Sequence, residues 1–241
     1  MSSLNNLKKE LRSLGSKEKA LKSQRFFKTQ KGQYGEGDIF IGVTVPEQRK
    51  VSKKYQNLPL EAIRELLYSK EHEFRLVGLY ILTHQYQKGD SGEQSILKDF
   101  YLKHALRVNN WDLVDSSAPY ILGHYLLHQG KKNETTRLLK NLIQSSSLWE
   151  RRIAIVATLA FIRDQKPEHT FILAKLLLND KEDLMHKATG WMLREVGKYC
   201  GRETLSSFLD VYAHRLPRTA LRYSLEHYPE KQRQFYMTKK S

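Results

Sequence analysis

FRLVGLYILTHQYQ, residues 74–87, places apolar side chains three and four residues apart and shows no strand-like alternation. Positions at those spacings share one face of a helix, so the stretch predicts a helix with a broad buried side. The same period recurs in LEAIRELLYS (60–69), SILKDFYLKHAL (95–106), TRLLKNLIQ (136–144), RRIAIVATLAFIRD (151–164), TFILAKLLLND (170–180) and ETLSSFLDVYAHRL (203–216). The intervening breaks KGDSGE, QGKKNE and DQKPEH are polar and carry Gly or Pro, as helix connections do. Only Thr29 to Pro46, TQKGQYGEGDIFIGVTVP, departs from the pattern; its four glycines predict an ordered loop joining the first helix to the rest. The basic residues from Lys231 onward are expected to fray. The expected fold class is all-α.

A degenerate repeat refines that expectation. EFRLVGL (73–79), WDLVDSSA (111–118), WERRIAI (149–155) and LMHKATGW (184–191) align weakly. Each opens a long helix after a shorter one, about 36 to 40 residues apart. Paired helices at that period imply a HEAT-like solenoid in which each unit buries its neighbour's apolar face. A solenoid presents equivalent positions along one concave surface. Three units offer Arg75, Arg151 or Arg152, and Lys187 there, and the fourth offers Asp115. The expectation is a basic concave surface interrupted by one carboxylate.

The charge points to a partner. Lys and Arg number 41 against 26 Asp and Glu, a formal net charge of +15. Such an excess favours a polyanion, nucleic acid first and anionic membrane second. Apolar residues at 40% argue against a disordered chain. Cys200 is the sole cysteine, so no intramolecular disulfide forms; this fits a reducing, cytoplasmic setting, with Cys200 read as a structural thiol. The first residues, MSSLNNLKKELRSLGS, lack the apolar core of a secretory signal. The longest apolar run, IAIVATLAFI (153–162), is far short of the roughly 20 residues that span a bilayer.

The segment NNWDLVDSSAPYILG (109–123) carries the most informative chemistry. On a helix beginning near Asn110, that residue serves as N-cap, and Asp112 favours the positive helix end, a structural role. Asp115 shares a face with Trp111, Ala118 and Leu122. A carboxylate on a half-apolar face needs a partner or a purpose, because burying a lone charge is costly. Spacing alone leaves two readings of Asp115 open, an ion pair with the next repeat or a functional acid. Pro119 removes a backbone hydrogen bond and is expected to kink or open the helix. Trp149 reads as core. Trp111 and Trp191 have a second use as flat, electron-rich walls. Arg152 and Arg194 suit phosphates as bidentate forks, or else make solvated or inter-repeat contacts. His124 and His128 stand four apart with no third ligand near, so no metal site is expected.

Three of these segments, NNWDLVDSSAPYILG, WERRIAI and KATGWMLREVGK, resemble the corresponding segments of the AlkD-type DNA alkylation repair glycosylases, which have a HEAT-like repeat fold. RFFKTQKGQYGEGDIFIGVTVP resembles the amino-terminal segment of many members, so the likeness runs from about Arg25 to beyond Lys198. The resemblance implies a single glycosylase domain over residues 1–230 followed by a basic tail, 231–241. It implies excision of N3- and N7-alkylated purines, such as 3-methyladenine and 7-methylguanine, from double-stranded DNA by cleavage of the N-glycosidic bond. Carried over by position, Asp115 is the catalytic carboxylate, Trp111 and Trp191 line the cleft against the lesion's sugar, and Arg152 is a supporting cation on the DNA backbone. Arg194, Lys187, Phe26 and Lys28 fall at further DNA-contacting positions. No cofactor or metal is implied, and the protein is expected to be a monomer, off the membrane and nucleoid-associated through DNA. Two departures bear on lesion range: Phe26-Phe27 stands where some members have Tyr, and the YGEGD stretch is longer.

The remaining basic residues are expected to supply sequence-independent grip. These are Lys8, Lys9, Arg12, Lys17, Lys19 and Lys22 near the start, and Arg215, Arg218 and Arg222 near the end. Two other readings account for the charge and the repeats: a non-catalytic HEAT-like protein binding damaged or structured DNA, and a scaffold for an acidic partner.

Overall fold

The computed structural model describes residues 3–239. Helices α1 (Ser3–Ser13), α2 (Lys17–Phe26), α3 (Val45–Lys54), α4 (Leu60–Leu67), α5 (His72–Lys88), α6 (Ser91–Lys103) and α7 (Trp111–Asp115) lie in a first compact unit ending at Ser117. A second unit begins at Ala118. It holds α8 (His124–His128), α9 (Lys132–Ile143), α10 (Leu148–Ala157), α11 (Leu159–Arg163), α12 (Glu168–Leu176), α13 (Asp183–Tyr199), α14 (Arg202–Tyr212), α15 (Arg218–Ser224) and α16 (Glu230–Thr238). The fold is all-α; among the described residues no strand forms, and Ile39 and Glu71 make one isolated parallel bridge.

All six prolines stand at the start of a helical segment. The missing N–H costs nothing in a first turn, where no intrahelical acceptor exists. The breaks that end one helix in the sequence are therefore the starts of the next, which is how α3, α15 and α16 escape a reading based on apolar runs alone.

In the first unit α5 is the axis. Phe74, Leu76, Val77, Leu79, Ile81 and Leu82 are all buried, with α3 and α4 packed on one side and α6 against it too. The helix is buried nearly all round, its polar His72, Glu73 and Arg75 included, which fits its central place. The expected first helix is two. Leu4, Leu7 and Leu11 bury one side of α1, and the chain then breaks at Gly15, where a Cβ would lie 2.7 Å from the Ile41 carbonyl oxygen. Ser16 caps α2, accepting from Lys19 N. Residues 29–44 form the expected loop, and Glu73 is its anchor. Its carboxylate accepts the backbone N–H groups of Ile41, Gly42 and Val43, the shortest at 2.8 Å from Gly42. Gly42 has φ +81°, and a Cβ there would meet the Ser16 carbonyl oxygen at 2.1 Å, so only glycine fits.

In the second unit α13 is the axis, with α10, α11, α12, α14 and α15 packed around it. Pro119 has the effect expected of it. Pro119–Gly123 forms a π-type turn in which Gly123 N–H reaches Ala118 O at 2.9 Å, one residue further back than in an α-helix. RRIAIVATLAFIRD divides at Thr158, whose hydroxyl donates to Ile155 O at 2.6 Å and draws off that acceptor. The fraying expected from Lys231 does not occur. Glu230–Thr238 is helical because Tyr236 is buried, donating its hydroxyl to Asp210 at 2.9 Å. Residues 240 and 241 lie outside the described part.

Two of the four aligned segments share a device. Arg75 Nη1 donates to Ser69 O at 3.0 Å, and Arg151 Nη1 donates to Ser145 O at 3.1 Å, each reaching back six residues. Each guanidinium also pairs with an aspartate of another segment, Asp38 for Arg75 at 2.7 Å and Asp180 for Arg151 at 2.8 Å. Both arginines, expected on a basic surface, are instead spent on fixing the turn before their helix.

Candidate active site

Asn110 sets the start of α7. Its Oδ1 accepts Trp111 N–H at 2.8 Å, while its amide donates to Asp38 Oδ2 at 3.2 Å. Asp112 lies in the first turn, where the helix end favours a negative charge. Its Oδ1 accepts Leu113 N–H at 2.9 Å and its Oδ2 faces His72 Nε2 at 2.7 Å. The structural reading of Asp112 therefore holds, with a partner that spacing did not reveal. Ser117 is held by Tyr101, hydroxyl to hydroxyl at 3.0 Å.

The helix closes at Asp115, so the face it shares within α7 reaches only back to Trp111. Both residues are partly open to solvent, whereas Leu113 and Val114 between them are fully buried. Burial above all, with the charge of Asp115 adding to it, pushes the Tyr101 phenol well above its ordinary range, so Tyr101 stays protonated and neutral.

Trp111 stands at the head of a ring stack. Phe27 lies parallel to it at 5.2 Å, Phe40 lies on Phe27 at 4.9 Å, and His72 lies on Phe40 at 4.6 Å. Phe26 meets Trp111 edge-on at 5.8 Å, yet is 65% exposed. Lys28 follows with φ +51° and an exposed side chain. In this unit Phe26 lies against Trp111, which stands one turn before Asp115 on α7, and Lys28 is two residues on from Phe26.

Below the stack lies a buried charged cluster. Asp38 faces His72 Nδ1 at 3.1 Å and Arg75 Nη2 at 2.7 Å. Burial works against the Asp38 carboxylate, but His72 and Arg75 outweigh it and hold its pKa below the usual value. Burial also disfavours a charged His72; Asp112 and then Asp38 outweigh that and raise its pKa. Neither Asp38 nor His72 stood out in the sequence, since they lie far apart along the chain and carry no spacing signature, and Phe27 was noted only as a replacement for Tyr.

In the second unit α13 presents Trp191 and Arg194. Trp191 Nε1 donates to Glu195 Oε1 at 3.0 Å, and Arg194 reaches the same oxygen through Nε at 3.3 Å and Nη2 at 3.0 Å. Arg194 Nη1 is also bound to Glu226. Burial opposes its charge, but Glu226 and Glu195 prevail and raise its pKa. Glu195 was missed although it sits four residues after Trp191, a spacing that puts the two on one face. Arg152 is 5% exposed, and its Nη1 donates to Leu184 O at 2.7 Å, tying α10 to α13. Lys187 pairs with Asp183 at 2.8 Å.

Of the other basic residues, Lys8 is bound to Glu65, and Arg12 to Glu71 at 2.7 Å. Arg215, Arg218 and Arg222 are exposed. The rings of His124 and His128 lie tilted to one another at 4.3 Å, and among the described residues no His, Cys, Asp or Glu cluster suits a metal. Among them, too, no helix is long and apolar enough to cross a membrane.

The solved structure described as "Predicted DNA alkylation repair enzyme from Enterococcus faecalis" superposes with a TM-score of 0.68 at 19% identity, over 90% of this chain and 97% of that one. At that identity the likeness shows a shared fold. No curated protein matches the sequence. The profile of the family described as DNA alkylation repair enzyme matches residues 7–228, nearly the whole chain, and so the protein belongs to the DNA alkylation repair enzyme family, whose substrate is DNA.

Proposed function

We propose that the protein is a monofunctional DNA glycosylase of the AlkD type, with a HEAT-like repeat fold. It hydrolyses the N-glycosidic bond of positively charged N3- and N7-alkylated purines in duplex DNA. The observation that carries this reading is the placing of Trp111 and Asp115 one turn apart on α7, both partly open to solvent, with the exposed ring of Phe26 against Trp111. Membership of a DNA alkylation repair family supports the substrate.

The residue types suit the reaction. An N7- or N3-alkylated purine is already cationic and leaves as a neutral base, so no general acid is needed. Sugar hydrolases with poor leaving groups need a second carboxyl group as that acid. Asp115 faces the deoxyribose as positive charge passes from base to ring, and it orients the attacking water. Trp111 and Trp191 serve as indole walls, each contributing about 0.5–2 kcal/mol toward a cation. A preorganised charge contributes several kcal/mol, so Asp115 is the dominant group. Phe26 and Lys28 lie alongside the DNA; Arg194 and Lys187 add charge near it. Arg152, with one N–H committed to Leu184, supports the site by holding α13 as much as by its charge.

The test is incubation with methylated duplex DNA, then alkali cleavage of abasic sites. Strand breaks at methylated purines are expected. Tight, salt-sensitive binding without breaks would overturn this reading in favour of non-catalytic recognition of DNA.

A further inference from the structure

Two separate routes lead from His72 to Trp111. The first is polar: His72 Nε2 faces Asp112 Oδ2 at 2.7 Å, and Asp112 is the residue after Trp111. On the other flank Asn110, which caps the helix and accepts Trp111 N–H, is held by Asp38, the second partner of His72 at 3.1 Å. The second route is apolar: the imidazole is the base of the stack that runs through Phe40 and Phe27 to the indole. His72 is 1% exposed, so it touches no substrate.

We propose that His72, as a doubly hydrogen-bonded imidazolium, is the positioning residue that fixes Trp111 and the first turn of α7. Its effect on base release rests on the glycosylase reading; its effect on Trp111 does not. The charge of the cluster explains why a histidine is used. Asp38 on the loop and Asp112 on α7 are negative, Arg75 on α5 is positive, and the facing rings of Phe27 and Phe40 are apolar. The four groups sum to zero only while His72 keeps its proton. Arg75 Nη2 also lies 3.3 Å from His72 Nδ1, so loss of the Nδ1 proton leaves the Nε2 bond to Asp112 in place and releases Asp38, the anchor of Asn110, which loosens the clamp from that flank. Because the folded pKa is raised, the contribution is complete below about pH 6.5, the ordinary histidine value, and is lost as pH rises through the folded value.

Two measurements on the full chain test this. In the first, the indole N–H resonances are followed by NMR from neutral to alkaline pH, with that of Trp111 assigned by its absence in Trp111→Phe. The Trp111 signal is expected to move in one alkaline transition that vanishes in His72→Gln, with no matching transition at Trp149. A Trp111 signal that stays put, or that titrates unchanged in His72→Gln, overturns the proposal, whatever the enzyme does. In the second, single-turnover release of 7-methylguanine is compared across variants. His72→Phe keeps a stacked ring but loses both donors. It is expected to slow release about 10- to 100-fold, the scale of a small misplacement, with DNA affinity within about twofold. His72→Gln, whose amide can reach Asp112, recovers part of that loss. Wild-type release by folded His72→Phe, alongside loss of release in Asp115→Asn, sinks the positioning role and leaves the glycosylase reading standing. Absence of release from the wild type sinks the glycosylase reading, and the resonance of Trp111 still decides the role of His72. Should His72→Phe not fold, His72→Gln and the wild-type titration carry the test.

Discussion

The indole of Trp191 gives its N–H to Glu195 Oε1, 3.0 Å away and one turn further along the same helix. Arg194 holds the same oxygen at 3.0 Å through Nη2, and a second carboxylate, Glu226, holds Arg194 in turn. The edge of the ring is thereby fixed by a partly buried carboxylate–guanidinium pair, which leaves its faces as the part available for contact.

A prediction separates edge from face. Trp191→Phe keeps a flat ring and loses one hydrogen bond, so stability should fall by about 1 kcal/mol. Release of the alkylated base should fall less than about tenfold. Trp191→Ala removes the wall itself and should slow release further, by the equivalent of about 0.5–2 kcal/mol. Single-turnover rates and thermal unfolding of the two variants check this. Equal losses in both would place the effect in the N–H rather than the ring face.

The loop that carries Asp38 and Phe40 depends on Glu73 and Gly42. Glu73→Ala strands three backbone donors and should cost at least about 2 kcal/mol. Gly42 and Gly32 both have positive φ, +81° and +78°. Around Gly32 a Cβ would meet nothing within 4 Å, whereas at Gly42 it would meet Ser16 O at 2.1 Å. Gly32→Ala should therefore cost only backbone strain, about 1 kcal/mol, and Gly42→Ala distinctly more. Urea unfolding of both variants decides; equal costs would show that the loop does not lie against α2.

DNA affinity should separate paired from unpaired cations. Lys8 and Arg12 already carry carboxylate partners. Lys28 is exposed beside Phe26 and the Trp111 stack. Lys28→Ala should make the slope of log K against log salt shallower by about 0.9, the value for one phosphate no longer neutralised. An unchanged slope would remove Lys28 from the interface.

Much of the fold is written in the helical period. α4, α5, α6, α9, α12 and α14 fall where apolar residues recur at three and four, because that spacing gives each helix an apolar side to bury. The period says little where other interactions decide. Gly15 divides the first helix because the Ile41 carbonyl sits against it, and Thr158 divides α10 from α11 through its own hydroxyl. Tyr236 orders the end of the chain through a contact made with Asp210 on α14. At the site, α7 and its capping by Asn110 were legible, as was the loosening at Pro119. The support beneath Trp111 was not, since Phe27, Asp38 and His72 meet only once the loop has folded onto α5. Nor does spacing tell a solvated arginine from a committed one. Arg75, Arg151 and Arg152 all turn out to serve backbone carbonyls.

The central claim is that one carboxylate, without a general acid, drives departure of a cationic base. The most direct test is single-turnover release of 7-methylguanine from duplex DNA by Asp115→Asn, with DNA affinity measured alongside. The side chains are nearly isosteric, so folding and binding should persist while release slows by at least about 100-fold. Release at the wild-type rate would contradict the account.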